Sequence, residues 1–254
     1  MELHPLALGF EHVAEDYAHG RPGYPPAAVA AIVDGLGLAP GARVADVGAG
    51  TGKLTAALAA AGLDVVAVEP FAGMRATLSA SLPGVAVLDG TAEALPLADA
   101  SVDVVASGDA FHWFDGTRAA PELARAIRPG GGLALLWNSA AGEARDEGMP
   151  WAAELVDLLD AVRPEHPAFT EDQGRDAIDA HEAFGPFTSV EVTHVQRSSR
   201  AMLVANIASI SYVGVMPAGE RAALLGRVDA LLRRHGIATL DIPLRTTVWL
   251  ARRL

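Results

Sequence analysis

Val44-Ala45-Asp46-Val47-Gly48-Ala49-Gly50-Thr51-Gly52-Lys53 joins a short apolar strand, Arg43–Val47, to a helix expected over Lys53–Ala61. Glycines in such a turn let the backbone reverse sharply and approach a ligand without Cβ contacts. In an open parallel sheet the ligand sits outside the carboxyl ends of the strands, where the strand order switches. Three nucleotide readings compete. A phosphate loop needs G-x-x-x-x-G-K-[ST]. Here the first glycine is misplaced, and Leu54 stands where Ser or Thr is required. A dinucleotide turn needs G-x-G-x-x-G; Gly48 and Gly50 fit it, but Lys53 occupies the third position and Gly52 comes one residue early. The remaining reading is Asp-x-Gly-x-Gly-x-Gly, with an acid entering the turn. A cofactor carrying a sulfonium and an amino group tolerates that acid, whereas a pyrophosphate does not. A plain glycine-rich βα turn is the alternative.

Outward from this turn, strand and helix patterns alternate. A Pro/Gly cluster at Arg21–Pro26 precedes a helix over 26–36. Strands are expected at Asp64–Val68, Val85–Leu88, Val102–Ser107 and Gly132–Trp137, with helices at Ala72–Ser81 and Thr117–Ile127 between them. Short continuous apolar strands separated by helices indicate a parallel sheet covered on both faces. The second strand ends at Val68-Glu69-Pro70, and Glu69 lies about 20 residues beyond Gly48, as expected of an acid that accepts ribose hydroxyls. Beyond residue 138 the pattern changes. Residues 139–186 are polar and partly helical, over Trp151–Val162; Ser189–Gln196 alternates like a strand; Ala201–Val213 and Glu220–Arg234 read as helices, and Leu244–Ala251 as a terminal strand. We read one domain: a lid over 1–25, a cofactor-binding core over 26–138, an insertion with a sixth strand over 139–235, and a final strand over 240–254.

Composition narrows the function. The chain has 254 residues, enough to bury roughly 70–75% of its unfolded surface. It contains no cysteine, so disulfides, cysteine-held zinc and thiol nucleophiles are excluded. The net charge of −12 opposes binding to polyanions, and no basic run offsets it, so no nucleic-acid partner is expected. Eighteen of the 19 basic residues are Arg, which with heavy Ala, Gly and Val usage points to a GC-rich bacterial genome. Met1–Gly20 lacks the apolar region of a signal peptide, and no apolar run approaches the ~20 residues that span a bilayer. A cytoplasmic protein without a membrane partner is the expectation. His166, His181 and His194 lack metal-ligand spacing, so no metal is expected.

VADVGAGTGKLT (44–55), VVAVEP (65–70), LDGTAEALPLADASVDVV (88–105), AFHWF (110–114), IRPGGGLALLWN (127–138) and DYAHGRPGYP (16–25) together resemble the class I methyltransferases. Within them they are most similar to the methyltransferase type 11 group, near its trans-aconitate-methyltransferase-like branch. That resemblance implies an α/β, Rossmann-like, doubly wound sheet of seven strands, the last antiparallel, with a helical C-terminal insertion or cap. It implies S-adenosyl-L-methionine as cofactor and S-adenosyl-L-homocysteine as product. Carried over, Asp46, Gly48, Ala49 and Gly50 lie along the methionine moiety and Glu69 holds the ribose. Pro70, Phe71 and Met74 flank the adenine, and Thr91, Ala92 and Glu93 meet its edge. Ser107, Gly108 and Asp109 lie near the sulfonium. Asp109 departs from the neutral residue of many relatives; it either meets the sulfonium or a basic substrate, or caps the next segment.

Methyl transfer is an in-line displacement that asks the protein for alignment, water exclusion and often a base. His112 is the base candidate, since imidazole titrates near neutrality; the alternative is a structural histidine. Trp113 and Phe114 either wall the pocket or pack the core. Tyr17 and Tyr24 belong to the lid, whose Arg21 would pair with the methionine carboxylate; the alternative is a tethering turn. Arg197 and Arg200 either anchor an anionic acceptor or are solvated. Tyr212 and Met216 either shape the pocket or pack. The resulting reading is O- or N-methylation of a small molecule, in secondary metabolism. An NAD-linked oxidoreductase and a cofactor-binding cyclase are the alternatives.

Overall fold

β1 (Arg43–Val47) carries the sequence RVADV, and Asp64–Val68 and Val102–Gly108 are as rich in valine. β-Branched side chains are stiff at χ1 and favour the pleated conformation. The computed structural model describes residues 5–140, 150–164 and 175–254. In chain order it contains a 3-10 helix (Pro5–His12), α1 (Ala14–Gly20), α2 (Pro26–Gly35), β1, α3 (Lys53–Ala60), β2 (Asp64–Val68), α4 (Ala72–Ser81), β3 (Ala86–Leu88) and β4 (Val102–Gly108). A 3-10 turn (Phe111–Trp113), α5 (Gly116–Ala126), β5 (Ile127–Ala140), α6 (Pro150–Asp160) and α7 (Arg175–Asp179) follow. The chain ends with β6 (Thr188–Ser199), α8 (Arg200–Ala208), α9 (Ser211–Gly214), α10 (Ala218–Arg234) and β7 (Thr239–Arg252).

The seven strands form one sheet in the order β3-β2-β1-β4-β5-β7-β6. Val44 lies opposite Val65 on one side and Val104 on the other, both in parallel register. β3 and β5 extend this parallel set. β7 is antiparallel to β5: Arg253 N–H donates to the Gly131 carbonyl near one end, while Thr246 meets Asn138 near the other. This is the expected Rossmann-like sheet, and its strand order reverses between β1 and β4.

Contacts divide the chain into two units. The sheet unit comprises Gly23–Asn138, Pro167–Val192 and Thr246–Leu254; the helical unit comprises Met1–Pro22, Ser139–His166 and Thr193–Arg245. In the sheet unit the strand period of two sends alternate residues to opposite faces. Val44, Val65 and Val104 pack with Ala28, Val29 and Ile32 of α2 and Leu54 and Leu58 of α3. Ala45, Val47, Val66 and Val105 pack with Ala119, Ala120 and Leu123 of α5. The Glu122 carboxylate on α5 accepts from Leu95 N–H, and Arg125 joins it to the Leu97 carbonyl, holding the β3–β4 connection against that helix.

In the helical unit α1 lies on α8 so closely that a Cβ on Gly20 would meet the Asn206 backbone. Asn206 Nδ2 donates to the Gly20 carbonyl, 3.2 Å, and Arg221 ion-pairs with Asp16 at 2.6 Å. The helix expected over Ala201–Val213 is two helices. Ser209 interrupts it: its hydroxyl donates to the Asn206 carbonyl at 2.7 Å, and Arg21 donates to its Oγ (2.8 Å) and its carbonyl (3.3 Å). β7 begins five residues before the expected Leu244, and β5 spans Ile127–Ala140 rather than Gly132–Trp137. Among the described residues no helix is long and apolar enough to cross a membrane.

Candidate active site

The turn after β1 is built from left-handed glycines, with φ of +71° at Gly48, +55° at Gly50 and +88° at Gly52. L-residues avoid that region because Cβ crowds the carbonyl. A Cβ on Gly48 would also lie 2.6 Å from Ala110 Cβ, and one on Gly52 would lie 2.8 Å from Leu78 Cγ on α4. Gly52, early for a dinucleotide turn, is thus a packing glycine at the start of α3. Gly48 and Ala49 N–H both donate to the Val68 carbonyl, at 2.9 and 3.2 Å, fastening the turn to the end of β2.

Two carboxylates are buried beneath this turn. Asp46 is 1% exposed; its Oδ2 accepts from Thr55 Oγ1 at 2.6 Å. Glu69 is 4% exposed; its Oε2 accepts from Gly50 N–H (2.9 Å) and its Oε1 from Phe71 N–H (3.0 Å). Burial raises both pKa values, to about 7 for each, and outweighs the hydrogen bonds that favour the ionised forms. The charge of Asp46 pushes Glu69 further in the same direction. Arg75 on α4 fixes the end of β2 by donating to the Glu69 and Pro70 carbonyls.

Asp46 Oδ1, Thr51 Oγ1 and Ser107 Oγ are buried and have no hydrogen-bond partner. Buried polar groups are nearly always satisfied. Three orphans around a left-handed glycine turn, at the carboxyl ends of adjacent strands, fit a polar ligand with an ammonium and hydroxyl groups.

Past β4 the backbone turns through Asp109 at φ +51°. Its Oδ2 accepts from Tyr24 OH (2.7 Å) and Asn138 Nδ2 (3.0 Å), and its Oδ1 from Asn138 N–H (2.8 Å). Thr246 Oγ1 donates to Asn138 Oδ1 at 2.6 Å, extending the network to β7. Gly108 is needed because a Cβ there would strike the Tyr24 hydroxyl. His112 stands on the 3-10 turn, its ring centroid 4.9 Å from both Trp113 and Trp137.

The other expected residues fall as follows. Met74 on α4 is buried, Pro70 is half-buried beside Glu69, and Ala92 joins the core. Thr91 forms a bridge with Ala94, and Glu93 Oε1 accepts from Asp115 N–H at 2.8 Å, at the start of α5. Tyr17, Arg21, Arg197 and Tyr212 belong to the helical unit. There the Arg21 guanidinium lies 5.3 Å from the Tyr17 ring centroid, Tyr212 is buried, and Arg197 is exposed on β6. Arg200 ion-pairs with Asp229 at 3.0 Å. His166 lies outside the described residues, and among those described no cluster of three His, Asp or Glu could hold a metal. Thr51, Thr55, Arg75, Trp137 and Asn138 were missed from sequence. Only Thr55 carried a signal, its i+9 spacing from Asp46 across a known turn.

Residues 45–135 match a family model described as a methyltransferase domain. The chain is 42% identical over 233 residues to an uncharacterized methyltransferase of Mycobacterium tuberculosis, covering 91% of this chain and 88% of that one. An uncharacterized methyltransferase of Schizosaccharomyces pombe is 37% identical over 149 residues, 58% of this chain and 57% of the relative. The solved structure of a candidate type II methyltransferase from Anaeromyxobacter dehalogenans shares the fold, with a TM-score of 0.61 and 23% identity over 92% of this chain and 97% of that one. With strand order, turn geometry and 42% identity over most of both chains in agreement, the chain belongs to the class I methyltransferase family.

Proposed function

We propose that this methyltransferase uses S-adenosyl-L-methionine to methylate a small molecule. The observation that carries the reading is the set of orphaned buried polar atoms, Asp46 Oδ1, Thr51 Oγ1 and Ser107 Oγ, around the left-handed glycine turn. Buried carboxylates require a cationic or hydrogen-bonding partner. In this reading Asp46, Gly48, Ala49 and Gly50 hold the methionine moiety, with Asp46 facing its ammonium. Glu69 keeps one acceptor lone pair on each oxygen for the ribose hydroxyls, while its backbone bonds hold the turn still. Pro70 and Met74 flank the adenine, Thr91, Ala92 and Glu93 border its edge, and Ser107 and Gly108 line the sulfonium end. When bound, the cofactor supplies a methyl group already activated for in-line displacement by positive sulfur.

The protein's task is then positional. Alignment contributes as much as ~7–11 kcal/mol. Asp109 acts through Tyr24 and Asn138, whose positions it fixes with three hydrogen bonds. His112 takes the proton that the acceptor releases, a contribution of roughly 10²–10⁴-fold. A small acceptor suits the net charge of −12, which opposes polyanionic substrates. Placement near the trans-aconitate-methyltransferase-like branch is part of the proposal and rests on motif resemblance alone.

Calorimetric titration with S-adenosylhomocysteine, with NAD in parallel, tests the cofactor. Binding of the former alone supports the reading; binding of NAD alone, or of neither, sinks it. Product mass then separates methyl transfer from isomerisation.

A further inference from the structure

The chain holds fourteen Phe, Trp and Tyr residues, and five of them cluster in the sheet unit around His112 and the ends of β4 and β5. Phe111 is fully buried, with Trp137 at 5.8 Å and Trp249 at 5.9 Å between ring centroids. Phe111 and Trp249 therefore complete the core. The outer members differ: His112, Trp113, Phe114 and Trp137 are only half-buried. The His112 ring lies 4.9 Å from both Trp113, tilted, and Trp137, edge-on. Large rings left half-open beside a titratable imidazole form a wall suited to a flat partner, because aromatic pairs gain from stacked and edge-on contact beyond simple burial.

Two nearby carboxylates are committed to internal donors: Asp109, two residues before Phe111, accepts from Tyr24 and Asn138, and Glu93 accepts from the Asp115 N–H. Such bonds fix the Asp109 carboxylate in place and favour its ionised form, so the proton of an acceptor falls to His112. A phenolic hydroxyl has a pKa of ~10, as in tyrosine. An imidazole near neutrality removes that proton far more readily than one from an alkyl alcohol.

We propose that the acceptor is a planar hydroxyaryl compound, its ring against Trp113 and Trp137 and its hydroxyl facing His112. This rests on the cofactor reading above. In the reaction the O–H proton passes to an imidazole nitrogen of His112. The oxygen lone pair forms the new O–CH₃ bond, and the carbon–sulfur electrons return to sulfur, leaving a neutral thioether.

The test incubates the full-length protein and S-adenosylmethionine with 1-naphthol, catechol, cyclohexanol, benzylamine and cyclohexanecarboxylate, following mass. Tryptophan quenching by 1-naphthol, with and without S-adenosylhomocysteine, is recorded alongside. The expected result is a gain of one methyl on the hydroxyaryls only, with saturable quenching. Trp137→Leu should raise KM for 1-naphthol about fivefold, leave S-adenosylhomocysteine affinity unchanged, and be partly rescued by Trp137→Phe. His112→Gln should lower kcat about 100-fold and remove the acid limb of its pH profile. Preference for the amine, carboxylate or saturated alcohol overturns the proposal. So does the absence of both turnover and quenching with hydroxyaryls in a protein that binds S-adenosylhomocysteine. Quenching by 1-naphthol in a protein that binds no S-adenosylhomocysteine keeps the aromatic wall and sinks the cofactor reading instead.

Discussion

Asp46 and Glu69 enter the fold with ordinary carboxylate values of 3.8 and 4.5 and are raised by burial to about 7. Because the folded values lie above the unfolded ones, protonation favours the native state. That contribution is full below about pH 4 and is lost as pH rises through 7. The ligand-free protein should therefore melt at a higher temperature at pH 6 than at pH 8, and Asp46→Asn should narrow the difference; thermal melts across this range decide it. Bringing the ammonium of S-adenosylhomocysteine beside Asp46 should expel a proton near pH 7. Calorimetry in two buffers of different ionisation enthalpy reads that release, and zero release sinks the assignment. Gly50 was legible from spacing, and its φ of +55° gives the reason. Gly50→Ala should cost ~1–2 kcal/mol through backbone strain, whereas Gly50→Val should also weaken S-adenosylhomocysteine binding more than 100-fold. Equal affinity in the two variants would mean that only strain matters. Asp109 was legible as a candidate, but not its partners: Tyr24 is 85 residues away, and Asn138 lies one residue past the expected strand Gly132–Trp137.

The strands were readable because a strand buried on both faces is rich in valine and alanine at successive positions, and β1, β2 and β4 are, though Asp46 and Asp103 interrupt β1 and β4. The break between α8 and α9 was not, because residues 201–213 continue a helical pattern and the interruption is made by Arg21, 188 positions earlier. The 3-10 helix and α1 were equally hidden. Their partners are α9 and α8, and close approach depends on Gly9 and Gly20 meeting backbone there. Adding a methyl group where two helices touch through backbone leaves little room to yield, and overpacking typically costs 1–3 kcal/mol. Gly20→Ala should lower the urea midpoint accordingly. Gly23→Ala, with no atom within 4 Å of the added carbon, is the control and should leave it unchanged.

At the scale of the whole chain, the order β3-β2-β1-β4-β5-β7-β6 brings the ends of β1, β2 and β4 side by side, so residues far apart in sequence share one rim. Asp46, Glu69 and Ser107 occupy that rim, and most of the remaining cofactor candidates lie in the same sheet unit. A ligand held by the native rim and by nothing in the unfolded chain stabilises by mass action. At 100 times its Kd the gain is ~2.7 kcal/mol. For a chain of this size each kcal/mol moves Tm by ~2–4 °C, so S-adenosylhomocysteine should raise Tm by about 5–11 °C. NAD at equal concentration should leave it within error, because Lys53 stands where a dinucleotide turn needs its last glycine. Hydrogen exchange should locate the protection at residues 46–53, 65–71 and 107–113. A matching Tm shift with protection elsewhere would show that the ligand binds the chain at a different place, and the assignment of the rim would have to be given up.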